Sequence, residues 1–439
     1  MKKWLKSVWG YRYVVLFIVW LLYIINYFDR FAVIVFMPYI QEDLNLSPEQ
    51  AGFLLSIFFV PYAISQITSG FLSDKFGPKK VMGVAITVFT FMTAITGFIR
   101  SYGQFIILRV GLALGEGHHF PPATKAISNW FPSKSRASAL SFFSTTYMAG
   151  PAIAPIVLTT LSFHLFDGQW RPVFFSLLII GAIGIFLLWF FIADTPTEMH
   201  KKGKVSDKEL KYIEEEDSEF DKSVKKGSPK VFLTDNIFYI GVIMCIFQVA
   251  LSWGIASWLP TILVQQYNLD LTDMGILAAI PYIIGAFSIM LGGWLMDKLK
   301  SMKVVALIAY SGCVPVLFLF TKIQAGDTIL LVTLLFFAGF FVNLNYGPLL
   351  TFFQLRYPKN VAGSAVGVGN GIGQVGAFIA PLISGYLVTV GGDGSYDFNK
   401  VFIFFLIIAV LAVFSALLLR ETPVKLKNNN SIIENYELN

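Results

Sequence analysis

Gly70-Phe71-Leu72-Ser73-Asp74-Lys75-Phe76-Gly77-Pro78-Lys79-Lys80 is a short charged turn set between two apolar runs, near 50-72 and 81-99. Each run is close to the roughly 20 residues that a helix needs to cross ~30 Å of hydrocarbon. Two membrane spans joined by a charged turn is the simplest structure they can form. The rest of the chain repeats that pattern.

Of 439 residues, 56% are hydrophobic and 14% charged, against about 25% charged in an average soluble domain. This composition belongs to a polytopic membrane protein, and the 43 phenylalanines suit helices that face lipid. Six long apolar runs precede the middle of the chain, near 12-38, 50-72, 81-99, 103-125, 139-163 and 171-193. Six more follow, near 236-263, 272-296, 304-321, 328-352, 361-388 and 399-419. The expected fold is all-α, with twelve transmembrane helices and both termini on one side.

Basic residues decide which side. Lys75, Lys79, Lys80, Lys134, Arg136, Lys298, Lys300, Lys303, Arg356 and Lys359 lie on the side of the termini, whereas the other side offers only Arg100, Arg171, Lys322 and Lys400. By the positive-inside rule both termini are cytoplasmic, in a cytoplasmic (inner) membrane. The net charge of +6 is spread through short connections rather than gathered on one face, so no nucleic-acid partner is expected. Lys2, Lys3 and Lys6 precede an apolar run too long for a signal-peptide core, so the first span is expected to stay in place. Cys245 and Cys313 sit far apart in apolar runs and indicate neither a disulfide framework nor a metal site.

Residues 194-234 are dense in Lys, Glu and Asp and divide the chain into an N-terminal six-helix bundle (1-193) and a C-terminal bundle with its tail (235-439). Ser206-Asp207-Lys208-Glu209 fits a capping box, so a short surface helix over 207-220 is expected within an otherwise solvated linker. The halves repeat. Trp130-Phe131-Pro132-Ser133-Lys134 matches Arg356-Tyr357-Pro358-Lys359-Asn360 at an offset of 226, and Gly70 and Asp74 match Gly293 and Asp297 at 223. An even number of spans per copy gives both copies the same membrane orientation, the parallel-repeat plan of one transporter architecture.

On these residues the chain resembles the major facilitator superfamily, whose loop signature reads G-x-L-x-D-[RK]-x-G-[RK]-[RK]. The copy Gly293-Trp294-Leu295-Met296-Asp297-Lys298 is degenerate and lacks the later glycine. The signature implies a cytoplasmic gating latch of Gly70, Asp74, Lys75, Gly77 and Lys79. Gly70 would allow close helix approach, and Asp74 would meet a helix terminus or a basic residue.

Charges inside the spans ask for a second explanation, since each costs at least a few kcal/mol at bilayer depth. Asn26-Tyr27-Phe28-Asp29-Arg30 lies in the first span and Arg109-Val110-Gly111-Leu112-Ala113-Leu114-Gly115-Glu116-Gly117 in the fourth. Helical neighbours point about 100° apart, so Asp29 and Arg30 cannot both face the same way. Arg109 and Glu116, two turns apart, share a face. Two readings are open from the residues alone. The acids and arginines are fixed ion pairs bracing the first bundle, or they form a switch in which arginines that stay charged hold an anion and acids exchange a proton.

N-Y-x-D-R and R-x-x-x-G-x-x-E-G resemble the anion:cation symporter family, which includes sugar-acid permeases and the sialic acid and vesicular glutamate carriers. The resemblance implies proton coupling at Asp29 and Glu116 and substrate binding at Arg30 and Arg109. It also places Tyr62 of the second span and Asn370 of the eleventh at substrate-contacting positions. Tyr147 stands near a position that is often glutamine in sugar-acid permeases, and Gln374 lies one turn after Asn370; both join the candidate substrate contacts. Asn345-Tyr346-Gly347-Pro348 departs from the serine and tryptophan those permeases tend to carry in the tenth span. His118 and His119 follow Glu116 where many relatives have small or apolar residues, and Pro121-Pro122 should kink that helix.

No nucleotide-binding loop or metal-spaced cluster appears, so no enzyme, cofactor or metal is expected, protons serving as the coupling ion. The expected activity is proton-coupled symport of a small organic anion, a sugar acid or other carboxylate, by alternating access. The expected partners are that anion and membrane lipid, with the chain working as a monomer. An exchanger or amino-acid carrier is the second reading, and a non-transporting receptor or scaffold the reading from another class.

Overall fold

The computed structural model describes residues 10–220, 230–323, 326–357, 359–392 and 394–421. The first span is one helix, α1 (Tyr11–Leu44). The second is α2 (Pro48–Ile57) with α3 (Phe59–Phe76), and the third α4 (Pro78–Thr96). The fourth is α5 (Tyr102–Gly117) with α6 (Phe120–Trp130), the fifth α7 (Ser133–Ser144) with α8 (Thr146–Phe166), and the sixth α9 (Trp170–Phe191). Short helices α10 (Pro196–Lys201), α11 (Asp207–Phe220) and α12 (Lys230–Leu233) lead to the second half. There α13 (Asn236–Gln265), α14 (Leu271–Leu299), α15 (Met302–Phe320), α16 (Thr328–Leu344) with α17 (Tyr346–Arg356), and α18 (Lys359–Leu387) follow in turn. A two-residue antiparallel ladder of β1 (Thr389–Val390) and β2 (Tyr396–Asp397) precedes the last helix, α19 (Asn399–Leu418).

Among the described residues eleven spans are long and apolar enough to cross a membrane. The remaining pass is the fourth, which carries Arg109, Glu116 and Lys125 and is interrupted at His118-His119. The break comes just ahead of Pro121-Pro122, which then sit in the first turn of α6. Proline is tolerated there because a first-turn amide has no partner within the helix to lose.

On the face that carries the N-terminus, each half is clasped by its own last span, and the two clasps are copies. In the first half the Asp194 Oδ1 accepts from the Lys79 amide at the start of α4 (2.7 Å), and the Trp130 indole donates to the Ala193 carbonyl (2.9 Å). In the second half the Glu421 Oε1 accepts from the Lys303 amide at the start of α15 (2.8 Å), and Arg356 Nη1 donates to the Arg420 carbonyl (3.0 Å). A carboxylate at a helix N-terminus satisfies an orphan amide and meets the positive end of the dipole.

The halves meet on the opposite face. There α2 packs on α18 and α8 on α14, while α1 packs on α13. Gly52 and Gly385 come so close that a Cβ on Gly52 would lie 2.9 Å from the Gly385 Cα. Toward the face of the termini α7 and α17 pack within their own halves. Among the described residues, and apart from each glycine's own helix turn, no atom lies within 4 Å of where a Cβ would stand on Gly70, Gly293, Gly363, Gly367 or Gly371. The molecule is therefore closed on one side and parted on the other. The close approach expected at Gly70 is absent among the described residues.

The acidic middle segment departs from the solvated linker expected of it. Glu209 of α11 accepts from the Tyr11 and Arg12 amides at the start of α1 (2.9 and 3.1 Å), and the Arg12 guanidinium lies over the Tyr212 ring at 4.7 Å. Met199, Val205 and Ile213 are buried. Its charge density hid a sparse apolar face and one well-placed cap.

Candidate functional site

Asp29, Arg30, Arg109 and Glu116 are all buried, and one ion pair among them joins the two spans. Glu116 pairs with Arg30 across the two helices: Arg30 Nε donates to Glu116 Oε2 at 2.8 Å, and Arg30 Nη2 stands 2.7 Å from the same oxygen. The side chains are 3% and 0% exposed. Arg109 instead donates from Nε to the Leu54 carbonyl of α2 (3.2 Å) and stacks over Phe58 at 4.7 Å. Although Arg109 and Glu116 share a helix face, two turns separate them, and Arg30 reaches the carboxylate first.

Asp29 points elsewhere, as the 100° step requires. It is buried beside Thr93 of α4 and forms no ion pair among the described residues. Among the described residues Asp29 Oδ1 and Asn26 Oδ1 lack hydrogen-bond partners, while the Asn26 side chain faces Glu116 and Thr93 faces Asp29. Buried polar groups left this way cost about 1–3 kcal/mol each. Such a cluster is poor bracing, and it leaves sites where a proton can be received.

Arg30 is wrapped in aromatic rings. Its guanidinium lies 4.6 Å from the Tyr62 ring centre, 4.7 Å from Phe58, and 5.5 Å from both Tyr27 and Trp253. Cation–π contact of this kind suits a charge that must stay in a dry place. Tyr27 and Trp253 also line a cavity of about 740 Å³ including its open mouth. This cavity lies between the halves and takes residues from the first, fifth, seventh, eighth and tenth spans. Arg30 is thus one ring removed from it.

Tyr147 lines the cavity and Tyr62 stacks on Arg30 behind the wall. Asn370 and Gln374 are half-buried on α18 and lie outside the cavity lining, so the structure does not gather them with the others. The tenth-span Asn343, Tyr346 and the seventh-span Ser252 do line it. Trp253, Tyr282 and Phe58 had no signal in the sequence beyond being aromatic residues in apolar runs. Only their convergence from separate helices marks them.

His118 is tied to its helix neighbours, with Nδ1 2.7 Å from the Leu114 carbonyl and Nε2 3.0 Å from Thr68 Oγ1. His119 is buried against Tyr23 and Phe89. At the charged turn Asp74 accepts from Lys125 of α6 at 2.5 Å, within its own half. Lys75 is exposed, Lys79 is held by Asp194 and the Trp189 carbonyl, and Gly77 takes a φ of +85°.

The sequence model of the Major Facilitator Superfamily matches residues 19–381. The chain belongs to the Major Facilitator Superfamily. It is 29% identical over 401 residues to the probable sulfoacetate transporter SauU of Cupriavidus necator, covering 88% of this chain and 89% of that one. It is 28% identical over 421 residues to the probable galactarate/D-glucarate transporter GarP of Escherichia coli K12, covering 90% and 91%. Among solved structures, a bacterial homologue of the human lysosomal transporter Spinster superposes with a TM-score of 0.76 at 19% identity, covering 93% of this chain and 96% of that one. As a member of the Major Facilitator Superfamily the chain is a multi-pass membrane transporter and not an enzyme. Its two six-helix repeats are that fold.

Proposed function

We propose that this transporter moves a small organic anion by alternating access in symport with protons, from the outside of a cytoplasmic membrane to the inside. One observation carries the reading: a fully buried Arg30–Glu116 pair stands one aromatic ring from the central cavity, with a second buried acid, Asp29, unpaired nearby. An anionic substrate that engages Arg30 competes with Glu116 for the same guanidinium. Losing its partner would leave Glu116 as an uncompensated buried charge, at a cost of ~3–5 kcal/mol. Taking up a proton removes that cost. Binding of the anion and protonation of the acid therefore favour each other, which is what symport requires.

Sulfoacetate and galactarate/D-glucarate, named for two relatives, are both small anions and support the charge class. With the basic connections in the cytoplasm, the parted face opens inward and the conformation described is inward-facing. Gly70 and the glycines of α18 then have their partners in the opposite, outward-facing state. Asp74, bonded to Lys125 here, would be the element that changes contacts at closure.

The test uses purified protein in proteoliposomes with an imposed pH gradient. Glu116→Gln and Asp29→Asn should abolish gradient-driven accumulation while anion counterflow continues. Accumulation that persists in both variants removes the proton role. Wild-type counterflow with no response to the gradient makes the chain an exchanger.

A further inference from the structure

We propose that the central cavity selects an aryl carboxylate, an anion with a flat and mostly apolar body, over a polyhydroxylated sugar acid. This inference rests on the anion reading above and narrows its substrate class. Five aromatic side chains from five spans converge on the cavity: Tyr27, Tyr147, Trp253, Tyr282 and Tyr346. Between them the wall is carbon, from Met148 and Pro151 on one half to Leu251, Ile255 and Val342 on the other. Ligand pockets fix orientation with a few placed polar groups, and here those are single hydroxyls and an indole on aromatic rings, with Ser252 and Asn343 beside them.

A sugar acid carries a hydroxyl on nearly every carbon, and each must exchange its water for a partner in the site or lose binding. Side-chain amides and carboxylates serve adjacent hydroxyls best, since they can both accept and be met at two points. The cavity lining has no carboxylate and a single amide, Asn343. Its Nδ2 is already committed to the Gly339 carbonyl of its own helix at 2.9 Å. Gln248, one turn before Ser252, gives its Nε2 to the Val342 carbonyl and to Ser252 Oγ (3.3 Å) and is not part of the lining. Asn345 donates to the Tyr310 hydroxyl at 3.0 Å, also away from the cavity. Gln248 and Asn345 therefore tie helices together, and the Asn343 amide is held within its own helix.

The rings remain. Aromatic pairs prefer offset or edge-to-face arrangements with centres 4.5–7 Å apart, which an aryl body can adopt between such walls. The tyrosine hydroxyls can each meet one polar substituent, as on a hydroxyaryl acid. A carboxylate at the end of the body would lie toward Arg30, past the Tyr27 and Trp253 rings that flank both guanidinium and cavity.

The experiment is competition in wild-type proteoliposomes. Exchange of radiolabelled 4-hydroxybenzoate is challenged with phenylacetate, glucuronate, galactarate and the uncharged 4-hydroxybenzyl alcohol. The expected result is exchange of 4-hydroxybenzoate, inhibition by phenylacetate, and sugar acids at least tenfold weaker. In Trp253→Ala, aryl-acid affinity should fall by tenfold or more, with Trp253→Phe retaining most of it. Sugar acids that compete tenfold better than either aryl acid overturn this inference and leave the anion reading intact. Equal competition by the uncharged alcohol, or exchange of no acid of either kind, overturns the anion reading and this inference with it. Aryl-acid affinity unchanged in Trp253→Ala overturns the assignment of the body to this cavity.

Discussion

The two halves of this transporter are copies in backbone and in their terminal clasps, yet they have parted in chemistry at the centre. The first half buries two arginines and two acids inside its spans; the second places polar amides and tyrosines in its spans and uses Gln248, Asn345 and Tyr310 to hold helices together. Duplication gives two structurally equivalent bundles, and only one of them has to hold charge. The other is then free to supply the shape of the binding cavity, and it contributes most of the lining. On the proposed symport, coupling would fall to the first half and selectivity to the second.

The largest expected effect tests whether the charged half is a switch or a brace. Glu116→Gln or Arg30→Gln alone leaves a buried partner unpaired and should lower stability by ~3–5 kcal/mol. The double variant Arg30→Met with Glu116→Leu makes this half resemble the other and should recover most of that loss, since apolar replacements of buried pairs are often neutral. Thermal unfolding in detergent and uptake, measured together, decide. Recovered stability with no uptake supports the division drawn here, and recovered uptake would show that the pair only braces.

A smaller effect distinguishes the two charged turns. Gly77 has φ +85° and ψ 147°, a region that only glycine occupies comfortably, and the Asp194 carboxylate fills the space a Cβ would need. Gly77→Ala should cost about 2 kcal/mol from the backbone alone. The second copy lost its glycine: Lys300 sits at the matching turn with φ +54° in the left-handed helical region. Lys300→Gly should stabilise by about 0.5–1 kcal/mol, because it relieves that conformation at some entropic cost. Melting temperatures that move the same way in both variants would break the comparison.

Much of the fold was legible in the residues, and the reason that legibility stops where it does is physical. Span number, the charged turns and the repeat are written in hydropathy and spacing, which local sequence carries directly. That Asp29, Arg30, Arg109 and Glu116 ask for an explanation followed from the cost of burying charge, and all four are buried. Their pairing did not, because sequence spacing constrains one helix and Glu116 chose its partner from another, 86 positions away. The cavity wall was illegible for the same reason. Trp253 and Tyr282 look like any aromatic residue in an apolar run until five spans are brought together, while Asn370 and Gln374, polar and conspicuous, lie off the lining. The capping box at Ser206 marked a helix, yet Glu209 within it also caps α1, a tertiary contact that no local pattern encodes.

The smallest effect belongs to the clasp of the second half, where Asp235 faces Arg356 and Tyr357. Arg356 Nε donates to Asp235 Oδ2 at 2.6 Å, Nη2 to Oδ1 at 3.0 Å, and the Tyr357 hydroxyl to Oδ2 at 2.6 Å. Burial works to raise the carboxyl, but the hydrogen bonds from Arg356 and Tyr357 outweigh it and hold Asp235 below the ordinary carboxylate range. A carboxylate depressed in the folded state adds stability that is present above its unfolded value of about 3.9 and is lost as pH falls through the lower, folded one. In the first-half clasp Trp130 stands where Arg356 stands in the second, and its indole bonds the Ala193 carbonyl with no carboxylate as partner. Acidification should therefore loosen the second half by this route, by about 1 kcal/mol at most for a pair that water still screens, or roughly 2 °C. Asp235→Asn should flatten that part of the melting curve between pH 5 and 3 while Trp130→Phe leaves its slope unchanged. An identical acid slope in wild type and Asp235→Asn would show that the two clasps, though built from different groups, answer to protons alike.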